Sequence, residues 1–345
     1  MDIYALDKNF NLVSVAIPYD ILQWKRRYYE AGEFSMRIPV DLYNSSWAYI
    51  GTTERPELGM AEKILKLDNE YMQVGGYFCE KMLDEKACYP RYVGDVPKTE
   101  TAVRNIFSKY KDDLPIILGD ANNPLLGDRT QSDFGDDELG DKLFRILESR
   151  ELSYRVRYDY SANQLYFEVW QGLDRTQSQS VNSRQTFSYE FGNILKDAVD
   201  NDESAYKNYA IIPVKADSNG KETATYYLDL SNGERHREKV FDMRSKKPED
   251  GQSESDFKAA VLQEVMEKML PYARIQDIDV DVIGEIGYMT DYDLGDKCDI
   301  ILTDVGISIE SRIVEIEETI KAADHTITVG FGNKRIMNIR RAVAK

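Results

Sequence analysis

The sequence predicts a mainly β protein interrupted by a small α/β unit, and three observations carry that reading. Up to about Tyr92, apolar and polar side chains alternate in short runs, the period of a strand with one face on a core. Near Pro97 the period lengthens to that of a helix, and after Pro271 it returns to alternation. The chain has 345 residues, 42% of them hydrophobic. That is more than one core usually serves, so two or three domains are expected.

The elements follow in order. Val13, Val15 and Ile17 alternate within Leu12–Ile17 after a turn at Asp7–Asn11, and Phe34, Met36 and Ile38 alternate until Pro39 stops the run. Val74–Met82 and Ala87–Tyr92 read as two more strands. Thr99 stands as N-cap of a helix with Val103, Ile106, Phe107 and Tyr110 on one face. A loop rich in Asp, Gly and Asn, Asp112–Asp137, leads to a second helix marked by Leu139, Leu143, Ile146 and Leu147. A tyrosine-rich hairpin follows, Leu152–Tyr158 and Gln164–Trp170, turning through Ser161, Ala162 and Asn163.

Asp174–Ser183 reads as a polar surface connection into a strand at Gln185–Phe191. Tyr209–Val214 and Thr223–Asp229 flank a hairpin turn at Asp217, Ser218, Asn219 and Gly220. Lys246–Ser255 is a charged loop opening a helix with Phe257, Val261, Val265 and Met269 inside. Strands resume at Asp279–Gly284, Cys298–Leu302, Ile307–Ile316 and Thr326–Phe331. The apolar face switches near Ile313 and Val314, which predicts a bulge. One internal echo stands out: YEFGNI at 189–194 and VGFGNK at 329–334 both end an apolar strand in Phe-Gly-Asn, as a duplicated β domain would.

The formal net charge is -17, from 61 acidic and 44 basic residues, and only Lys334–Arg341 is densely basic. A free-standing nucleic-acid binder is not built that way. The acidity reads as a solvated surface, or in part as the lining of a channel that does not hold passing DNA. No apolar run is long enough for a membrane span, and Met1–Asp7 lacks the features of a signal peptide, so folding in the cytoplasm is expected. Cys79, Cys88 and Cys298 suit a reducing compartment.

Catalytic chemistry finds few of its usual parts. His236 sits among charges in Arg235–Glu238 and His325 in a turn, both reading as surface residues; neither falls in a metal or nucleophile motif. Cys79 and Cys88 are too far apart for a zinc half-site. The run Asp133–Glu138 offers oxygens to Ca²⁺ but lacks the ligand alternation of an EF-hand, and reads as a solvated loop. Gly75–Gly76 and Leu118–Asp120 lack the Lys and Ser/Thr of a phosphate loop. No catalytic residue, metal or cofactor is expected.

Three stretches carry a family resemblance. Residues 24–39 read WKRRYYEAGEFSMRIP, residues 291–296 read DYDLGD, and RIVEIE at 312–317 precedes a closing GFGNKR at 330–335. In that order they resemble the phage tail-protein family of siphovirus tail-tip and baseplate-hub proteins, found also in prophages and phage-tail-like bacteriocins. The family pattern has Gly-Asp-Phe where this chain has Gly32, Glu33 and Phe34. The stretches Asp112–Asp137 and Asp242–Ser255 have no counterpart in it. The matched positions read as fold-defining: Trp24, Tyr28, Gly32, Phe34, Leu294, Gly295, Asp296, Arg312, Phe331 and Gly332, with Phe191, Gly192 and Asn193 from the echo. Gly32 suits a turn of positive φ, Gly295 turns the chain over Leu294, and Arg312 is expected to pair with a carboxylate such as Glu315.

The resemblance implies a mainly β chain of two tail-tube-like β-barrel domains with a small α/β insertion, assembled as a homotrimer. Mapped here, the first tube-like domain is 1–92 completed by 185–200, the insertion is 93–184, and the second is 201–341 with a helical insertion at 254–270. It implies a structural hub joining the tail tube protein to a central spike or tip protein, with baseplate wedge proteins alongside. The chain stops soon after GFGNKR, which implies a hub core served by a separate spike, lysin or fibre. Membrane contact is not implied, and DNA at most passes through a lumen. The expected location is a virion tail or phage-tail-like particle assembled in the bacterial host cytoplasm. Two alternatives stand beside it: a tail-associated cell-wall hydrolase, and a receptor- or carbohydrate-binding tail protein using the tyrosines of Tyr154–Tyr160.

Overall fold

The computed structural model describes residues 1–96, 98–135, 137–216, 222–248, 250–283, 287–321 and 324–332. The N-terminal part contains β1 (Ile3–Leu6), β2 (Leu12–Ser14), β3 (Ile21–Arg27), β4 (Glu33–Pro39), β5 (Tyr49–Thr52), β6 (Leu58–Met60), β7 (Lys63–Lys66) and β8 (Tyr71–Tyr77). A 3-10 segment at Cys79–Glu85 leads to β9 (Tyr92–Val96), α1 (Thr99–Tyr110), β10 (Ile116–Leu118), β11 (Thr130–Phe134), α2 (Leu139–Glu148), β12 (Ser153–Asp159) and β13 (Gln164–Trp170). Next come β14 (Thr186–Ser188), β15 (Ile194–Asp202), β16 (Tyr209–Ala216), β17 (Glu222–Asp229), β18 (Glu238–Val240) and α3 (Glu254–Met269). The last strands are β19 (Ile275–Val282), β20 (Lys297–Leu302), β21 (Ile307–Lys321) and β22 (Asp324–Phe331).

One large sheet runs through the molecule in the order β15-β19-β22-β21-β3-β4-β8-β7, every neighbour antiparallel. The seam between its N- and C-terminal halves is β3 against β21, with Leu22 opposite Ile320 and Arg26 opposite Ile316. β21 is long enough to serve two partners: its first part pairs with β20, and after a register slip between Ile313 and Glu315 the rest pairs with β22 and β3. That slip is the bulge expected near Val314. Among the described residues the path keeps two free ends, at β15 and β7, and does not close into a barrel.

Alternation explains the cores. Leu22, Trp24, Phe34, Met36 and Ile38 share a buried face with Ile3, Ile50 and Val74, beneath the small sheet β2-β1-β5-β6. Ile278, Val280, Ile300, Ile316, Val329 and Phe331 form the C-terminal core around Phe187. Each such side chain contributes about 1.5–3 kcal/mol on full burial. α3 lies across β17-β16-β18, packing Phe257, Val261 and Val265 on Ala210 and Ile212. No helix among the described residues is long and apolar enough to cross a membrane.

Several expectations are corrected. β2 ends at Ser14 because Ala16 takes a positive φ of 47°, leaving Val15 in solvent while Ile17 reaches the core through a turn. Val74–Met82 divides: β8 stops at Tyr77, and the 3-10 segment aims Cys79, Met82 and Leu83 at the insertion. Only Tyr92 of Ala87–Tyr92 is in a named strand. The stretch Asp112–Asp137 is no plain loop, since Ile116–Leu118 adds a parallel strand to β13 and Thr130–Phe134 pairs with β9. Asp217–Gly220 and Gly284 lie outside the described residues.

Residues 185–200 do not return to the N-terminal strands. β14 pairs with β20 and β15 with β19, because Phe187 and Ile194 bury among Ile278, Ile300 and Phe331. The echo fails for the same reason. Phe191 is exposed in the turn between β14 and β15, with Gly192 at φ 69°, and Asn193 closes that turn through the Ser188 amide and the Thr186 carbonyl. Phe331 instead ends β22 in the core, 5.2 Å from the Phe187 ring and just before Gly332 at φ 99°. Asn333 lies outside the described residues.

Candidate functional site

The matched positions converge on the junction of the N-terminal sheet, the insertion and the C-terminal strands. Trp24 anchors one side, its ring 4.7 Å from Phe78 and 5.9 Å from Phe34. Gly32 is not among the glycines of positive φ. It is required by close approach, since a Cβ there would lie 2.4 Å from the Lys25 carbonyl and 2.6 Å from the Phe78 ring.

Tyr28, fully buried at the end of β3, is the pivot. Its hydroxyl donates to the Glu151 carbonyl at 3.3 Å, its ring meets Trp170 edge-on at 5.0 Å, and its carbonyl accepts from the Ser153 hydroxyl. Gly295, at φ 84°, presses on that ring so closely that a Cβ would fall 2.6 Å away. Leu294 is buried beside it. Arg312 lies over the Tyr28 ring and donates to the Gly295 carbonyl at 2.6 Å and to Glu151 at 3.0 Å. Glu315, the expected partner of Arg312, instead faces Arg27 and Lys25 at 3.2 and 3.7 Å.

Asp296 clamps the exit of the insertion. Its carboxylate accepts from the Leu173 amide at 2.7 Å and from Arg175 at 2.6 Å. Burial raises its affinity for a proton, against the opposing pull of Arg175. Asp174–Ser183 is a surface connection pinned at one point, where Arg175 and Thr176 are buried.

A second cluster crosses the β3–β21 seam, and the sequence reading missed it. Arg26 takes a core position on the face of Leu22 and Trp24. It donates to Glu57 at 2.7 Å, to Asp293 at 2.6 Å and to the Tyr288 hydroxyl at 3.2 Å. Tyr288 in turn donates to Glu318 at 3.2 Å, and Arg55 binds both oxygens of that fully buried carboxylate at 2.7 Å. Burial disfavours the Arg26 charge, but Glu57, Tyr288 and Asp293 outweigh it and hold the guanidinium charged. His325 lies 3.2 Å from Glu318 on β22, so it is no solvated turn residue. The legible signal was a charge in an apolar alternation: Leu22, Trp24, Arg26 on one strand and Ile316, Glu318, Ile320 on the other.

Chemically these clusters join three parts of the chain. Cys79, Cys88 and Cys298 are buried free thiols, and burial pushes the thiol pKa of each upward. His236 stacks on Tyr209 at 4.0 Å. Part of Asp133–Glu138 lies outside the described residues. Among the described residues, no three His, Cys, Asp or Glu side chains are grouped to hold a metal ion.

The family model of the Siphovirus ReqiPepy6 Gp37-like protein matches residues 117–333. The chain belongs to that family. The matched range takes in Gly295, Asp296, Arg312 and Phe331, while Trp24–Pro39 precedes it. The fold is similar to that of the prophage tail protein gp18 of Listeria monocytogenes, with TM-score 0.61 and 17% identity over 100% of this chain and 98% of that one. It is also similar to a tail protein of Neisseria meningitidis, with TM-score 0.59 and 14% identity over 97% and 96%. The 43 kDa tail protein of prophage MuSo2 from Shewanella oneidensis gives TM-score 0.59 and 13% identity over 98% and 100%. No curated protein matches. The chain is thus a member of a siphovirus protein family whose fold is shared with prophage tail proteins.

Proposed function

We propose that the chain is a structural, non-enzymatic tail subunit that builds a ring at the hub or tip, where the tail tube protein meets a central spike or tip protein. Family membership and the prophage tail fold support a structural role in the tail. The observation that carries the ring is the pair of free sheet edges. β7 presents Lys63 and Lys66 with exposed Ile64 and Leu65, whereas β15 is acidic on balance, with Asp197, Asp200 and Asp202 against Lys196, and exposes Leu195.

Unpaired edges invite strand addition. Here like edges repel and unlike edges attract, which favours a head-to-tail contact over a twofold one. Alternation along the eight strands leaves β7 and β15 running in opposite directions, so joining β7 of one copy to β15 of the next continues the antiparallel pattern. A head-to-tail contact repeats until the ring closes. In this reading the tube-like regions are 1–92 and 201–341, the latter joined by 185–200 and carrying the helical insertion 254–270, and barrel closure comes only between copies. The insertion 93–184 lies outside the ring wall and faces baseplate wedge proteins. Three copies close the ring, in a virion tail or phage-tail-like particle.

The test is to locate the chain in assembled particles by electron cryomicroscopy. A threefold ring between tube and spike is expected. Density for the chain elsewhere in the tail, or as an isolated subunit, would overturn the assignment.

A further inference from the structure

A cleft of about 440 Å³ opens between the β3–β4 turn, the 3-10 segment Cys79–Glu85 and the start of α2. Its lining is lopsided in charge: Glu30, Glu33, Glu80, Asp84, Glu138 and Asp141 stand against Arg27 and Lys81. The two cations are already engaged, Arg27 with Glu33 at 2.7 Å and with Glu315, and Lys81 with Asp84. The first turn of α2 suits the carboxylates nearest it, Glu138 and Asp141. Glu80 stands in the first turn of the 3-10 segment, but burial outweighs what that turn and the Val156 amide offer its carboxylate.

Glu80 is 6% exposed. One of its oxygens accepts from the Val156 amide at 3.0 Å, while the other is shielded from solvent and has no hydrogen-bond partner among the described residues. A buried acceptor left in that state costs about 1–3 kcal/mol, more when charged. It marks a place where a donor belongs. We propose that the cleft receives a basic side chain, a lysine or arginine from a partner polypeptide, whose charged head reaches Glu80. The apolar stem would lie along Tyr77, Ala31 and Phe144, which also line the cleft. A bare divalent ion fits less well, because these carboxylates do not gather three to a point and the space exceeds one ion. Burial holds the Glu80 carboxyl at about pKa 7 in the free chain, so the arriving cation would find it half ionised near neutrality and complete its ionisation.

The experiment uses the full chain and saturation-transfer NMR with three small probes: Nα-acetyl-arginine amide, Nα-acetyl-lysine amide and the neutral Nα-acetyl-citrulline amide. Signal from either cationic probe, absent for citrulline and weakened about ten-fold in Glu80→Gln, supports the site. Glu80→Gln keeps an acceptor for Val156, and circular dichroism checks its fold; Glu138→Gln, outside the core, is a second variant expected to weaken binding in the same direction. Equal signal from citrulline, signal unchanged in both variants, or no signal from either cationic probe overturns the proposal. So does competition by millimolar Ca²⁺ at constant ionic strength, which would make the cleft a metal site.

Discussion

The Arg26 guanidinium lies 3.2 Å from the Tyr288 hydroxyl, and that hydroxyl passes the contact on to Glu318. An arginine of β3 and a carboxylate of β21 are thus linked across the seam of the sheet through a tyrosine from the loop before the Asp293–Asp296 turn. Glu318 is fully buried, and its carboxylate is faced by Arg55, Tyr288 and His325. Removing it strips the half-buried Arg55 of the carboxylate that binds it. Glu318→Ala is expected to destabilise the chain by about 3–5 kcal/mol. Urea unfolding followed by tryptophan fluorescence checks this; a loss below about 1 kcal/mol, the range of exposed pairs, would show that water replaces the carboxylate.

Gly295 is constrained twice, by a φ of 84° and by the Tyr28 ring 2.6 Å from where a Cβ would sit. Gly306 shares the first constraint, with φ 69°, and a Cβ there would meet nothing within 4 Å among the described residues. Gly306→Ala should therefore cost about 1 kcal/mol, the left-handed penalty alone. Gly295→Ala should cost clearly more and disturb the fluorescence of Trp170, which packs on Tyr28. Equal losses at the two positions would mean that the ring yields freely.

Glu80 sets a pH dependence whose sign can be worked out. Burial raises its pKa from 4.5 to about 7, so between these values the folded chain holds a proton that the unfolded chain releases. Stability from this group is greatest below pH 4.5, falls as pH rises toward 7, and is at its lowest above 7. The full span corresponds to roughly 3 kcal/mol. Glu80→Gln is expected to raise the melting temperature at pH 8 and leave it nearly unchanged at pH 4.5. A variant less stable than the parent at pH 8 would sink the assignment.

How far the sequence could be read depended on whether burial followed alternation. β4, α2 and the β12–β13 hairpin were legible because Phe34, Met36 and Ile38, or Leu139, Leu143 and Leu147, repeat at the element's own period. The bulge in β21 was legible as a change of face. Thr99 illustrates the opposite case: it looks like an N-cap, yet it is the first helical residue, and its hydroxyl meets Asp128 and Thr130 instead. Positions Gly295 and Asp296 were singled out correctly as a turn, but their partners Tyr28 and Arg175 lie far away in sequence, and periodicity holds no record of such contacts. The identity of consecutive letters in Phe-Gly-Asn misled for the same reason, since burial of Phe191 and Phe331 is decided by neighbours on other strands.

The insertion reads as a self-contained unit with its own helices and hairpin, but its core is shared. Leu58, Met60, Cys79 and Leu83 of the N-terminal part bury against Ile106, Leu143 and Phe167. Replacing 93–184 by a short Gly/Ser linker exposes that face. The shortened chain is expected to aggregate or to lose several kcal/mol of stability. A soluble, cooperatively unfolding product of parental stability would restore the view of a separable domain.

The free edges of the sheet allow the sharpest test of the ring. If β7 of one copy meets β15 of the next, Lys63 and Lys66 come within reach of Asp197 and Asp200, and a zero-length carbodiimide reagent should join them between chains in assembled particles. Lys63→Glu with Lys66→Glu turns the contact from attractive to repulsive and is expected to abolish assembly with little effect on the thermal stability of the isolated subunit, since both lysines are exposed and Lys63 loses only its contact with the Tyr77 ring. The partner change, Asp197→Lys with Asp200→Lys, should do the same alone. Combined in one chain, the two reversed edges are again complementary, and assembly should return. Exposed charge pairs are individually weak, typically below 1 kcal/mol, and act here by deciding which edges approach. Raised salt should therefore slow assembly more than it weakens finished rings, which backbone hydrogen bonds and Leu65 and Leu195 hold together. Assembly by either single-edge reversal, or failure of the combined variant while its subunit stays folded, would mean that the ring is closed by some other surface.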